Sequence, residues 1–330
     1  MKIWILNHYA TNQFFENGGR HYDFAKYLKR AGHDPVVFCC NAKHNTRSEL
    51  CFDMNGAWQE HQAEAIGVPF VFVKGRPYIG NGKQRILNMI DYFHNVQKAT
   101  LDYAKLHGAP DVLIGSSVHP LACIAAIKLS KRLHCKNIVE IRDLWPESLA
   151  AYGLVGKKNP LLKAMLACEK WIYTKADVII FTMAGGRDYI VEKGWDTSHG
   201  GFVDLAKVHH INNGVDLEAF ESNKARYVWK DSDLDDPHTF KVIYTGSIRA
   251  VNNLSLLVDA AEYLRAANDH DIKLLIFGDG DQREALVTRC LQAGLHNICF
   301  KDKVEKKYIP YILSKGDLTF LHGGYTPIMR

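Results

Sequence analysis

The sequence predicts a doubly wound α/β protein of two units, the second shorter and incomplete. Three observations carry this. Short apolar runs alternate with longer helical patterns along all 330 residues. The runs are continuously apolar, as strands covered on both faces of a parallel sheet must be. The strand, helix, strand order requires crossovers that lay helices on the sheet.

Taken in order, Lys2–Asn7 is a strand, followed by a glycine-bearing loop and a helix from about Gly19 to Ala31. Pro35–Cys40 and Pro69–Val73 are strands, and a helix runs from about Gln84 to His107. Strand Asp111–Ser116 leads to helix Pro120–Leu133, then strand Asn137–Ile141 and helix Pro160–Lys175. Asp177–Thr182 and Val208–Ile211 complete the first set. The acidic stretch Lys230–Thr239 reads as a surface loop near a domain junction. The alternation then restarts with strand Lys241–Thr245, helix Asn253–Arg265, strand Ile272–Phe277 and helix Asp281–Ala293. Strand Asn297–Phe300, short helix Lys306–Ser314 and strand Asp317–Leu321 follow. The expected domains are 1–212 and 213–330, both Rossmann-like. The second would need another strand or two and a closing helix to be complete.

Composition is ordinary for a globular chain, with 47% hydrophobic and 23% charged residues. A formal charge of +5 suits phosphate-bearing ligands or an anionic membrane surface, and no nucleic-acid partner is expected. None of the 8 cysteines forms a CxxC pair, so they read as buried thiols in a reducing compartment. MKIWILN is too short an apolar run for a signal peptide, and no stretch reaches the roughly 18 apolar residues of a spanning helix. A cytoplasmic protein, peripheral at most on the inner face of the plasma membrane, is expected.

Six segments carry candidate chemistry. Gly18 and Gly19 stand directly before a helix, where glycine lets backbone N–H groups approach a phosphate or sugar; a tight packing turn reads equally well. SSVHPL places His119 at a strand's carboxyl edge, where it can bond a sugar hydroxyl or a phosphate oxygen, or merely cap a helix. In EIRDLWPES, the residues Arg142, Asp143, Trp145 and Glu147 crowd another strand end. Carboxylates hold sugar hydroxyls, arginine holds phosphate, and tryptophan stacks on a sugar face. In TGSIR, Gly246 and Arg249 precede a helix and form an anion pocket. In FGDGDQR, Gly278 and Gly280 turn a strand into a helix but lack the third glycine of a dinucleotide fingerprint. Last, Lys74–Asn95 mixes Lys74, Arg76, Lys83 and Arg85 with Tyr78, Ile79, Ile86, Leu87 and Ile90, as a bilayer interface would require. Lys157–Ala176 is a second such candidate, read more readily as a core-facing helix with a lysine face.

In order, GG, SSVHP, RDLWPES, NNGVD at Asn212–Asp216, TGSIR, FGDG and KGDLTFL resemble the family-four glycosyltransferases of the GT-B fold. The nearest branch is the bacterial one that makes O-antigen and capsule, with fucosamine-transferase-like members. The resemblance spans essentially the whole chain. It implies a retaining enzyme that takes a nucleotide-diphosphate sugar, with UDP the expected nucleotide, and needs neither metal nor other cofactor. The first domain would hold a glycan or lipid-linked acceptor and the second the donor, with chemistry in the cleft. Gly18 and Gly19 would face donor phosphate and sugar, His119 the transferred sugar, and Arg249 the diphosphate leaving group. Gly246, Gly278 and Gly280 would line the donor, and Arg142, Asp143 and Glu147 the acceptor. The family's lysine just beyond the Arg249 position is absent, since Ala250, Val251, Asn252 and Asn253 stand there. Its paired glutamates would lie beyond Arg330. Two alternatives remain at this level: a nucleotide-sugar 2-epimerase of the same architecture, and an inactive truncated module that binds acceptor or membrane. An NAD dehydrogenase is set aside, for want of the fingerprint and of an acid at Asn41.

Overall fold

The computed structural model describes residues 1–322 except 45, 47–49, 81, 118, 152–155, 157 and 270. Asn81 and Lys157 of the two basic segments, Val118 of SSVHPL, and Tyr152 and Gly153 therefore lie outside the described residues. The chain divides into one unit of Met1–Val215 and a second that begins at Asp216.

The first unit runs β1 (Lys2–Leu6), α1 (Thr11–Glu16), α2 (Arg20–Arg30), β2 (Asp34–Cys40), β3 (Trp58–Ala63), β4 (Val68–Val73), α3 (Lys83–His107) and β5 (Val112–Ser117). It continues with α4 (Pro120–Leu133), β6 (Lys136–Ile141), α5 (Trp145–Ala151), α6 (Pro160–Lys175), β7 (Val178–Phe181), α7 (Gly186–Glu192) and β8 (Val208–His210). Its strands lie in the order β3-β4-β2-β1-β5-β6-β7-β8. All pairs are parallel except the edge hairpin of β3 with β4. Side-chain alternation sends Trp4, Leu6, Phe38 and Val71 to one face, under Tyr92, Val96 and Ala126 of the helices. Ile5, Val37, Phe70 and Phe72 go to the other, under Tyr22 and Ala25. A Cβ on Gly115 of β5 would stand 2.7 Å from that of Ala126, so α4 rests directly on the strand backbone.

The second unit runs α8 (Leu217–Arg226), α9 (Ser232–Asp235), β9 (Phe240–Thr245), α10 (Ser255–Ala266), β10 (Ile272–Phe277), α11 (Arg283–Gln292), β11 (Ile298–Lys301), α12 (Ile309–Ser314) and β12 (Leu318–Thr319). Its four strands are parallel in the order β11-β10-β9-β12.

Six elements depart from the sequence reading. β3, of sequence WQEHQA, is too polar to show as an apolar run, because it is an edge strand paired on one side only. Helices α1, α5, α7 and α8 arise where no helix was expected. The acidic stretch is not a plain surface loop. It folds into α9, drops Leu234 into the core with Ile243, Leu275 and Phe277, and offers Asp233 to Lys273 and Lys301. Asp231 and Asp233 are met by Lys273 and Lys301 of the neighbouring strands, while Asp235 stays exposed.

One buried acid in the first unit gives a stability prediction. Glu169 of α6 accepts hydrogen bonds from the hydroxyls of Tyr173 (2.7 Å) and Tyr189 (2.8 Å). Burial outweighs those two donors and pushes its carboxyl up to about 7. The unfolded chain then loses this proton before the folded one does, so stability falls as pH rises from about 4.5 and levels off above about 7. The expected loss is about 3 kcal/mol. Urea unfolding of wild type and Glu169→Gln at several pH values checks it: the difference between the two should carry this slope.

Candidate functional site

In the first sheet the chain leaves β1 toward β2 on one side, while β5 continues on the other. The carboxyl ends of β1 and β5 therefore flank a topological switch point, the place where open α/β sheets bind ligands. Three strand ends are stitched together there. Asn7, just past β1, donates through Nδ2 to Ser116 Oγ of β5 (3.0 Å), and Ser116 Oγ donates to Glu140 Oε1 of β6 (2.7 Å). Glu140 is buried and also receives His21 Nε2 (2.9 Å) and Arg20 Nε (2.8 Å) from the first turn of α2. Burial would raise the Glu140 carboxyl, but His21, Arg20 and the Ser116 hydroxyl outweigh it and hold it at about 2. Burial keeps His21 below its ordinary value, so its Nε2–H is the donor. The Arg20 guanidinium extends this hub to the end of the unit, donating to the carbonyls of Ile211 (2.9 Å) and Asn212 (2.8 Å).

The Gly18–Gly19 turn abuts this hub. Gly19 has φ +122°, a value that favours glycine, and stands at the N-cap of α2. Several amides expected to face a phosphate are already bonded. Gln13 Oε1 accepts from His21 N (2.9 Å) and Tyr22 N (3.1 Å), and Gly19 N donates to Asp23 Oδ2 (3.2 Å). An anion at those amides would have to displace Gln13.

His119 is the N-cap residue of α4, with Pro120 at the first helical position, but it is a buried group and not a surface cap. Its Nε2 lies 2.7 Å from Nδ1 of His8, which follows β1. The His8 ring stacks between Tyr9 and Tyr92, each at 4.4 Å. Burial, with the Arg85 charge added, lowers His119 to about 3, and burial with the His119 neighbour lowers His8 well below the ordinary range. Both rings are neutral at physiological pH. Arg85 Nε donates to the Tyr9 hydroxyl (3.3 Å), and His44 bonds the Tyr78 hydroxyl.

Arg142 and Asp143 follow β6. The Arg142 N–H donates to Ser117 Oγ (3.1 Å); its side chain is half-buried, and Asp143 is exposed. Glu147 lies on α5 in an ion pair with Lys193, so its carboxylate is engaged by the protein. Trp145 opens that helix.

In the second unit, the loops after β9 and β10 lock together. Ile248 N donates to Asp279 O (2.9 Å), Gly246 N to Phe277 O (3.0 Å) and Gln282 N to Ile248 O (3.1 Å). A Cβ on Gly278 would lie 1.8 Å from Gly246 O, and one on Gly280 2.2 Å from Ile248 O. These glycines are therefore needed for backbone contact between the loops, whatever else they touch. Arg249 stands exposed at the end of that paired structure, at the cap of a short 3₁₀ turn before α10.

Residues 20–219 match the model of Glycosyltransferase Family 4, and 228–326 that of Glycosyl transferases group 1. The chain belongs to glycosyltransferase family 4. Solved structures share its fold. HepE of Anabaena, in complex with UDP and glucose, superposes with a TM-score of 0.59 at 14% identity, covering 98% of this chain and 74% of that one. The catalytic domain of Arabidopsis thaliana starch synthase IV, bound to ADP and acarbose, gives 0.62 at 10% identity, covering 99% and 78%. A UDP-forming trehalose-phosphate synthase from Burkholderia xenovorans gives 0.62 at 10%, covering 98% and 78%. No curated protein sequence matches the chain. The family membership makes this a glycosyltransferase and sets aside the epimerase reading, which the fold alone could not do.

Sequence reasoning singled out His119 but passed over its partner His8, and it quoted Glu140 only as the start of a segment. The signal was present. Glu140 is a charged residue inside the buried strand KNIVEI, and a fully buried carboxylate requires a partner.

Proposed function

We propose that this glycosyltransferase moves a sugar from a nucleotide-diphosphate sugar, with UDP as the nucleotide, to a glycan or lipid-linked acceptor, retaining anomeric configuration and using no metal. The reading places its work in cell-surface polysaccharide synthesis, of the O-antigen and capsule kind. The observation that carries it is Arg249, exposed on the locked loop pair of the second unit at the position of the family's diphosphate arginine. A guanidinium there stabilises the charge that grows on the leaving diphosphate, which takes the role a metal plays in other transferases. In the first unit, His119 meets the transferred sugar, and Arg142 and Asp143 receive the acceptor. Glu147 joins them on the acceptor side, its carboxylate held by Lys193. HepE, with the same fold, binds UDP and glucose, which supports the choice of nucleotide.

The acceptor is brought to the inner face of the plasma membrane by the start of α3. Ile79, Ile86, Leu87 and Ile90 are exposed there beside the exposed Lys74 and Lys83, a combination that suits an anionic bilayer surface. Among its described residues the second basic segment exposes Leu161 and Trp171 as large apolar groups, while Leu162, Ile172 and Tyr173 are core. No helix among the described residues is long and apolar enough to cross a membrane.

Calorimetric titration with UDP, ADP and UDP-N-acetylglucosamine tests the donor assignment. UDP and the UDP-sugar are expected to bind and ADP to bind more weakly. Tighter ADP binding would replace the base, and silence from all three ligands with a folded protein would overturn the nucleotide-sugar reading.

A further inference from the structure

The reaction proposed above makes no use of the seam between α3 and α4. A groove of about 550 Å³ opens there, between the second half of α3 and the end of α4. Its floor is apolar: Leu101, Ala104 and Leu133 are half-buried and pack against the core of the first sheet. Its rim is basic. Lys98, Lys105 and Arg132 stand exposed around it, against one carboxylate, Asp102, which pairs with Lys105 (3.0 Å). Among the described residues, neither Lys98 nor Arg132 has an acid partner. Unneutralised cations beside an apolar floor fit an anionic group joined to a hydrocarbon.

The groove continues a stripe on one face of α3. Ile86, Ile90, Phe93, Gln97, Leu101 and Ala104 follow one another at intervals of three and four residues. The stripe is about 27 Å long. Ile86 and Ile90 are exposed, and Phe93 packs on the core with the Lys128 ammonium 5.4 Å from its ring centre. Lys128 and Arg132 stand one turn apart on α4 and flank the stripe on that side, as Lys98 and Lys105 of α3 do on the other. A helix whose apolar stripe is flanked by cations lies in the plane of an anionic bilayer surface. An acidic peptide would answer the charge, but a straight apolar stripe of this length suits a flat hydrocarbon boundary. We propose that α3 lies along an anionic bilayer from Ile86 to Ala104, and that the α3–α4 groove takes the headgroup of an anionic phospholipid. Its phosphate sits between Lys98 and Arg132, and its acyl chains start on Leu101 and Leu133. This extends the bilayer contact read at the start of α3 and rests on different residues. Because α3 crosses between two parallel strands, β4 and β5, it runs antiparallel to them. The candidate site at the carboxyl ends of β1 and β5 then opens along the bilayer surface, not away from it.

Flotation with vesicles of phosphatidylcholine, with and without phosphatidylglycerol, tests this. Wild type should float with the phosphatidylglycerol vesicles and be released as salt is raised. Lys98→Gln combined with Arg132→Gln should weaken that partitioning about 30-fold. The melting temperature should not change, since both side chains are exposed. Ile86→Ser combined with Ile90→Ser separates the two membrane readings. If that pair abolishes flotation while the charge pair floats like wild type, the start of α3 alone meets the bilayer and the groove inference fails. The reverse outcome keeps the groove and removes the start of α3. Amine acetylation followed by mass spectrometry needs no variant: Lys98 and Lys105 should be protected on phosphatidylglycerol vesicles, while Lys29 of α2 stays reactive. Equal acetylation of Lys98 with and without vesicles overturns the inference, and so does a wild type that does not float.

Discussion

Replacing Arg249 with alanine is expected to lower kcat/KM for a UDP-sugar by about 100- to 1,000-fold, the usual effect of removing one group that stabilises developing negative charge. The loss should appear in kcat, because that charge is full only as the diphosphate leaves. Two structural features make the result readable. The Arg249 side chain is exposed, and its backbone carbonyl, which accepts from Asn252 N (2.9 Å), survives the substitution. The melting temperature should therefore hardly move, since exposed substitutions commonly change stability by less than about 0.5 kcal/mol. Arg249→Lys should recover part of the rate, as a point charge without the planar fork. The stretch Ala250–Asn253 carries no lysine, so on the proposed reading the diphosphate charge would fall to one guanidinium here. Steady-state kinetics with thermal unfolding decide the matter, and an alanine variant of wild-type kcat would remove Arg249 from the reaction.

Glu140→Leu is expected to destabilise the first unit by about 3–5 kcal/mol, because it strands the buried Arg20 guanidinium without its counter-charge. Glu140→Gln should cost less, since its carbonyl oxygen can still accept from His21 and Ser116, the two donors that share Oε1. The pH dependence runs opposite to that of Glu169. The Glu140 carboxyl is held at about 2 in the fold against 4.5 unperturbed, so its stabilisation is present above about pH 4.5 and is lost as pH falls toward about 2. The expected size is about 3 kcal/mol. Denaturant melts of wild type and Glu140→Gln from neutral to acid pH would show it: the gap between them should close on acidification. A gap that stays constant with pH would mean that the carboxylate charge contributes nothing. Because Arg20 also holds the carbonyls of Ile211 and Asn212, loss of Glu140 should loosen the final residues of the first unit as well.

The two variants illustrate what each level of description supplies. Arg249 is a candidate that the sequence can propose because its cue is local: a strand, a glycine, then an arginine before a helix. The same holds for the parallel sheets, whose continuous apolar strands and intervening helices are written in consecutive residues. α4 and α6 were readable to the residue, since Pro120 and Pro160 mark their first turns. β3 and α5 were not. An edge strand such as WQEHQA is stabilised by pairing with β4, a contact that no periodicity within it reports.

Hydrophobic period and turn chemistry, both properties of neighbours in the chain, thus determined the α/β class, most of its elements and the family motifs. Tertiary structure alone decided which polar groups meet. Glu140 draws its donors from positions 20, 21 and 116, and His119 meets His8 from just past the first strand. It also decided that Gln13 covers amides of α2 that the glycine motif had left open, and that Gly278 and Gly280 serve loop contact. A hydrogen bond acts over about 3 Å. Residues a hundred positions apart reach that distance only when the sheet brings its strand ends to one edge.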